Sequence, residues 1–396
     1  MSTKSIGVAV IGAGMAGKAH AAAYRSASAV FDSTLPEIRL VSIADVYEPL
    51  AEATAKRYGF ERHDTTWQAL AEAEDIDVVS VVVANRLHRE IVEGLLAAGK
   101  HVLCEKPLSD TLEDAEAMVA AANNADTIAR VGLTYLRQPG IAYAKQLIES
   151  GRLGQIYHVS GRYHTEYAAD PQAPMVWRYK GPAGSGALAD VASHLSYIIE
   201  ALGGEVESVS GGTLTTVIKS RPKPIGNVVG HERGAVSEER EPVENDDYAA
   251  FSVQFANGTA GTFEASRVAL GHPNGLSFEV YGEKGSLKYD FERPSEISVF
   301  LADDDLANAG FRTVILGPSH PYWKDGLAMD APGVGIGQND GFVYQARAFL
   351  EEVAGIPESE SLPRVPSLAY GLRNMQLLDA VAQSAAQNGA AVKIGK

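Results

Sequence analysis

The first third of the chain alternates short apolar runs with small-residue or amphipathic stretches. Residues 6–11 (IGVAVI), 38–44 (IRLVSIA), 77–83 (DVVSVVV), 101–104 (HVLC) and 128–132 (IARVG) are rich in β-branched residues and read as strands. The 77–83 run has almost no polar alternation, the mark of a strand covered on both faces of a parallel sheet. Between the strands, helices are predicted over 15–28, 49–58, 66–73, 86–98 and 111–122. Pro49 suits a first helical turn, and Gly59 and Gly99 stop the helices before them. Ser109 or Thr111 caps the fifth helix. This rhythm predicts a doubly wound sheet with right-handed crossovers.

After Gly132 the pattern changes. A helix over 139–150 ends at Gly151, and 156–163 alternates as a strand. A polar loop holding Tyr167, Trp177, Arg178 and Tyr179 follows, and the glycine-rich 181–187 (GPAGSGA) leads into a helix over 188–202. Strands are predicted over 206–218, 249–255, 258–265, 276–281 and 286–289, several of them bounded by Asn-Gly or Glu-Lys-Gly turns. Residues 220–245, rich in proline, glycine and charge, predict a long excursion or flexible loop, and 317–326 a second loop. Helices close the chain over 339–352 and 367–386. The expected class is α/β: a first domain over 1–132, then a domain over 133–396 built on a large, open, mixed and mostly antiparallel sheet. Helices cover one sheet face, the other can receive a second subunit, and the C-terminal helix can pack back on the first domain.

The first strand runs into Gly12-Ala13-Gly14-Met15-Ala16-Gly17 and then a helix. A bare G-x-G-x-x-G also serves tight packing, but between a first strand and a first helix it marks a dinucleotide site. Gly12 permits the turn, Gly14 lets backbone approach a pyrophosphate, and Gly17 lets helix and strand pack closely. The helix N-terminus then faces the phosphates. Asp45 ends the second strand, where a carboxylate accepts from both ribose hydroxyls. The loop 31–37 accounts for its distance from the glycines. Its charge repels a 2'-phosphate and no arginine follows directly, so NAD is expected over NADP.

Composition narrows the rest. The 396 residues suffice for two domains. A net charge of −16 disfavours nucleic acid and anionic membranes as partners. Cys104 stands alone, so neither an intramolecular disulfide nor a multi-cysteine metal site is expected. The start, MSTKSIGVAV, has no apolar leader and no membrane-length apolar run occurs, so a cytoplasmic protein is expected. Asp190 and His194 are four apart on a predicted helix and share a face. They suit a solvated pair, a structural hydrogen-bonded pair, or a pair at a site. The apolar Leu188, Val191, Leu195 and Ile198 around them argue against full exposure. Two such residues do not make a metal site, and none is expected.

Taken together, GAGMAGKAH (12–20), ANRLH (84–88), CEKPL (104–108), DVASH (190–194), the 244–267 segment and LRNMQLLDAVAQSA (372–385) resemble the glucose-fructose oxidoreductase/inositol dehydrogenase (Gfo/Idh/MocA) family over essentially the whole chain. The length and the 244–267 segment look most like its levoglucosan dehydrogenase-like and inositol dehydrogenase-like branches. The resemblance implies an N-terminal Rossmann domain and a C-terminal sheet domain that forms homodimers or homotetramers. It implies Lys106 beside the nicotinamide on a loop whose proline is often cis, Asp190 and His194 beside the substrate, and Asn85 and His88 near the cofactor. Glu105 is expected to anchor Lys106 or its loop. One departure is Val83-Ala84, where the family often has Thr-Pro; it removes no polar atom.

The activity so implied is NAD-dependent oxidation of a secondary hydroxyl on a sugar, anhydrosugar or cyclic polyol. The reverse reduction of a keto sugar uses the same groups, and a non-catalytic NAD-binding regulator is the alternative outside catalysis. The hydroxyl proton needs an acceptor, and His194 suits it near neutral pH while a cationic Lys106 polarises the reacting oxygen. The opposite division fits the sequence too. Asp190 is expected to bind a neighbouring hydroxyl, and Tyr135, Tyr163, His164, Trp177 and Arg178 to line the sugar.

Overall fold

Strand and helix follow the hydrophobic pattern closely in the N-terminal region. The computed structural model describes residues 5–29, 34–181, 186–226, 234–302, 306–322, 329, 331 and 333–395. Parts of five segments read above, 1–4, 31–33, 182–185, 227–233 and 323–326, therefore lie outside the described residues. Contacts divide the chain into two compact units: 1–138 with 317–373, and 139–316 with 374–396. The first division falls six residues beyond the expected boundary at 132, and 317–373 is counted with the N-terminal unit.

In the first unit, β1 (Ile6–Ile11), α1 (Met15–Ala27), β2 (Ile38–Ala44), α2 (Glu48–Tyr58), β3 (Arg62–Asp64), α3 (Trp67–Glu72), β4 (Val78–Val81), α4 (His88–Ala97), β5 (His101–Glu105), α5 (Leu112–Asn124) and β6 (Ala129–Gly132) alternate. The strands form one parallel sheet, ordered β3-β2-β1-β4-β5-β6. The order reverses beside β1, so the carboxyl ends of β1 and β4 flank the crevice where such sheets take ligands. Val8, Val10, Val78 and Leu103 are buried in its core. Gly59 closes α2 in the left-handed region, at φ 77°. Of the two residues offered as cap for α5, Thr111 serves: its Oγ1 accepts from Asp114 N–H at 3.1 Å.

The second unit begins with α6 (Pro139–Glu149) and β7 (Ile156–His164). Then come α7 (Ala192–Gly203), β8 (Val206–Thr215), β9 (Ser220–Pro224), β10 (Val236–Pro242), β11 (Tyr248–Phe255), β12 (Ala260–Ser266), β13 (Gly275–Gly282), β14 (Gly285–Asp290), β15 (Glu296–Leu301) and β16 (Arg312–Ile315). Helix α8 (Asp340–Val353) falls within 317–373, which is counted with the first unit, and α9 (Leu368–Ala386), divided at 373, precedes β17 (Val392–Lys393). The large sheet has nine strands ordered β16-β15-β14-β13-β7-β12-β11-β8-β17. Among the described residues only β7 and β12 pair in parallel in this sheet, which makes it mixed and mostly antiparallel as expected. Val159, Tyr163, Phe263, Phe278 and Leu287 point to one buried face, against which α7 packs. The alternate residues Ser160, Glu264, Glu279 and Lys288 lie on the other face, partly exposed.

Residues 220–245 differ from expectation. They hold a separate two-stranded hairpin, β9 with β10, rather than only loop. Its strands carry little apolar surface; Lys223 pairs with Glu239 and Glu241, and Arg240 bonds Ser220 across it. No helix among the described residues is long and apolar enough to cross a membrane.

Candidate active site

The glycine turn after β1 has the geometry of a phosphate cradle. Gly12 has φ 99°, and a Cβ there would stand 2.0 Å from Val82 O. A Cβ on Gly17 would stand 1.8 Å from Gly12 O, so α1 crosses β1 at a distance only glycine allows. Gly14 is different: a Cβ on it would meet nothing within 4 Å. That open space lies at the N-terminus of α1, where the first amide N–H groups have no acceptor within the helix. Met15 is 78% exposed beside it, and Ala16 is half-buried. Asp45 follows β2; its Oδ2 accepts from Ala13 N–H at 2.9 Å and its Oδ1 from Tyr47 N–H at 2.9 Å. The carboxylate is thereby tied to the glycine turn. An open cradle with an adjoining carboxylate fits a dinucleotide that lacks a 2'-phosphate.

The loop after β5 carries Lys106, half-buried, with a cis peptide to Pro107. Glu105 turns inward. Its Oε1 lies 2.8 Å from His20 Nε2, and its Oε2 accepts from Lys106 N–H at 3.1 Å. Burial pushes the Glu105 carboxyl up, but the His20 contact and the charge of Lys106 outweigh it and hold the group below the usual range. Asn85 opens a short 3-10 turn, half-buried. His88 is fully buried, with Nδ1 at 3.2 Å from Leu108 O and Nε2 at 3.1 Å from Val83 O. Burial lowers its pKa. Its side chain ties the loop after β4 to the loop after β5. Tyr135 sits half-buried in the turn Thr134–Arg137 of the same unit.

In the second unit, Asp190 lies on a π-helical turn, Ala187–Val191, that runs into α7. The predicted single α-helix over 188–202 is thus wider at its start. Asp246 supports that start, its Oδ2 accepting from Leu188 N–H at 2.8 Å. Asp190 Oδ2 accepts from Tyr167 Oη at 3.1 Å and Arg178 Nη1 at 3.3 Å. The Arg178 guanidinium lies 4.6 Å from the ring centre of Trp177, which is 54% exposed. His194 Nδ1 is 2.7 Å from Tyr197 Oη, and its ring meets Tyr163 edge-on at 5.8 Å. Tyr163 Oη in turn donates to Asn274.

Behind this group lies a buried ion pair. Arg267 Nε donates to Asp247 at 2.8 Å, both side chains wholly inaccessible, and Arg267 Nη1 donates to Arg178 O at 3.0 Å. The pair therefore fixes the backbone that presents Arg178. His164 does not join the group. Successive strand residues point to opposite faces, and His164 pairs with Glu264 on the far side of the sheet at 3.2 Å. Tyr167, Tyr197, Asn274, Asp246 and Asp247 are site neighbours that the sequence reading left out. Tyr197 alone had a local signal, three residues past His194 on one helix face.

Comparison with known proteins identifies the family. Residues 6–133 match the family model described as oxidoreductase family, NAD-binding Rossmann fold, and residues 141–288 match the GFO/IDH/MocA C-terminal domain. The chain is 38% identical to levoglucosan dehydrogenase of Pseudarthrobacter phenanthrenivorans, covering 97% of each chain. It is 29% identical to inositol 2-dehydrogenase of Rhizobium meliloti over 74% of this chain and 78% of that one. A solved levoglucosan dehydrogenase in complex with NADH and L-sorbose superposes with a TM-score of 0.90 at 35% identity, over 99% of this chain and 100% of the other. The chain belongs to the GFO/IDH/MocA family of oxidoreductases with an NAD-binding Rossmann fold.

Proposed function

We propose that this chain is an NAD-dependent dehydrogenase that oxidises a secondary hydroxyl of a sugar, anhydrosugar or cyclic polyol to a ketone. The observation that carries the reading is the Asp190 carboxylate, held by Tyr167 and Arg178 on the turn that leads to His194, in a chain so similar to a levoglucosan dehydrogenase. Gly12, Gly14, Met15, Ala16, Gly17, Asp45 and Asn85 hold the cofactor. Bound NAD supplies the hydride acceptor.

His194 takes the hydroxyl proton at Nε2. For that, its own ring proton must sit on Nδ1 and be donated to Tyr197 Oη. Lys106, as a cation, stabilises the negative charge that develops on the reacting oxygen. Asp190 accepts from a neighbouring hydroxyl of the substrate, and Tyr163 and Trp177 give it apolar surface. The reverse reduction uses the same groups. The enzyme works in the cytoplasm as a homodimer or homotetramer through the half-exposed face of the nine-stranded sheet.

A panel of inositols, anhydrosugars and free sugars, read as NADH absorbance, tests the substrate class. Lys106→Ala and His194→Ala should each lower kcat by about 10²–10⁴-fold while NADH still binds. Near-parental turnover in both variants sinks the assignment.

A further inference from the structure

A chain of buried polar groups runs through the first unit behind Lys106, with no place yet in the chemistry. Tyr24 and Ser80 are wholly buried and His20 is 2% exposed. Tyr24 Oη lies 2.8 Å from Ser80 Oγ, and Ser80 Oγ lies 3.1 Å from His20 Nδ1. His20 Nε2 reaches Glu105 Oε1, and Glu105 Oε2 receives Lys106 N–H. The residues come from α1, β4 and β5, so the chain crosses three elements of the sheet domain.

Proton direction follows from the buried end. A buried hydroxyl must give its proton to an acceptor, and the acceptor that Tyr24 faces is Ser80 Oγ. The Ser80 proton then goes to His20 Nδ1, which must carry a lone pair. The His20 ring proton is thereby assigned to Nε2 and points at the Glu105 carboxylate. Every donor is satisfied in this one direction, and the series ends on an anion. An Nδ1–H tautomer would instead turn two donors on one oxygen and leave Glu105 facing a ring lone pair.

We propose that His20 is a positioning residue for Lys106: the Tyr24–Ser80 pair sets its Nε2–H tautomer, that N–H aims the Glu105 carboxylate, and the carboxylate holds the Lys106 amide at the end of β5. The inference rests on the role given to Lys106 above. Its ingredients are within one compact unit and do not depend on bound cofactor.

Two isosteric changes separate positioning from packing. A glutamine amide can reach the place of Nε2 and donate to Glu105; an asparagine amide reaches only the place of Nδ1. Both lose the ring contact that His20 makes with Phe342 at 5.4 Å. His20→Gln should keep kcat within about threefold, whereas His20→Asn should lose about 10- to 100-fold, the scale set by a small misplacement of a reacting group. The dissociation constant for NADH should stay within about threefold in both. Nitrogen-15 NMR of the parent protein should show His20 as the Nε2–H tautomer, with or without NADH. An Nδ1–H tautomer, or equal activity in the two variants, overturns the inference. If Lys106→Ala retains turnover, the role of Lys106 fails, whatever the His20 tautomer. If Lys106→Ala is inactive and His20→Asn is not, only the inference fails.

Discussion

The same small change at two glycines three residues apart should have opposite consequences. In Gly14→Ala the new methyl meets no protein atom within 4 Å, and the backbone, at φ −69° and ψ −165°, suits any residue. The unfolded chain loses some freedom, worth about 0.4–1 kcal/mol in favour of the fold, which offsets a poorer helix cap. Stability should therefore stay within about 1 kcal/mol. In Gly17→Ala the methyl would lie 1.8 Å from Gly12 O and 2.9 Å from Gly12 C, both backbone atoms that cannot swing aside. Helix α1 must move off β1, at a cost at or above the roughly 1–3 kcal/mol of an overpacked core. For cofactor the order reverses in kind: Gly14→Ala fills the space meant for pyrophosphate, so a comparable roughly 1–3 kcal/mol should appear as a roughly 5- to 150-fold weaker NADH affinity. Thermal unfolding without NADH and fluorescence titration with it measure the two effects separately. Parental NADH affinity in Gly14→Ala would refute the placement of phosphate there. A parental melting temperature in Gly17→Ala would refute the helix–strand approach.

Three further changes test other parts. Asp45→Ala should raise the Michaelis constant for NAD about tenfold, the worth of a charge-assisted hydrogen bond, and narrow the preference over NADP; an unchanged preference counts against Asp45. Arg267→Met leaves Asp247 charged and buried and should cost about 3–5 kcal/mol in denaturant unfolding; it should also raise the Michaelis constant for the sugar, because Arg178 O loses a donor. A loss under about 1 kcal/mol would contradict the buried pair. Burial raises the Asp246 carboxyl above its usual range against the Leu188 N–H that favours its charge. An acid raised by folding contributes stability below its unfolded pKa of about 4 and loses it as pH rises through the folded value. Asp246→Asn mimics the protonated group, so its stability relative to the parent should improve from acid to neutral pH; a variant that instead loses stability relative to the parent over that range has the opposite sign and rejects the account.

What the sequence made legible was what has a local period. The strands β1 and β2 are bounded by polar or glycine residues and fill a buried sheet, so their limits could be read directly. Asp45, Lys106 and the glycine turn follow strand carboxyl ends, which is where a parallel sheet gathers its ligands. The strand β15, with Ile297, Val299 and Leu301 buried on alternate positions, lies beyond the last strand expected in this sheet, 286–289, though its sequence alternates as clearly. The hairpin β9–β10 had no apolar alternation to read; cross-strand ion pairs take its place.

The second unit shows why residue type alone does not locate a site. Tyr163 and His164 are adjacent and both suit a sugar, yet strand parity sends them to opposite faces of one sheet. Asp190 and His194 have α-helical spacing, but a π-helical turn widens the first part of their segment, and no hydrophobic period announces such a turn. The groups that orient Asp190 come from an irregular loop, and the groups that orient His194 and Lys106 are split between local and distant positions. Tyr197 is three residues from His194; His20 is 85 residues from Glu105. A period can disclose the first kind of partner. The second exists only once β5 lies two strands from β1 in the sheet and α1 crosses behind them. The reacting groups can therefore be proposed from the chain, but the groups that position them must be read from the fold, and it is there that His20→Gln and His20→Asn should part.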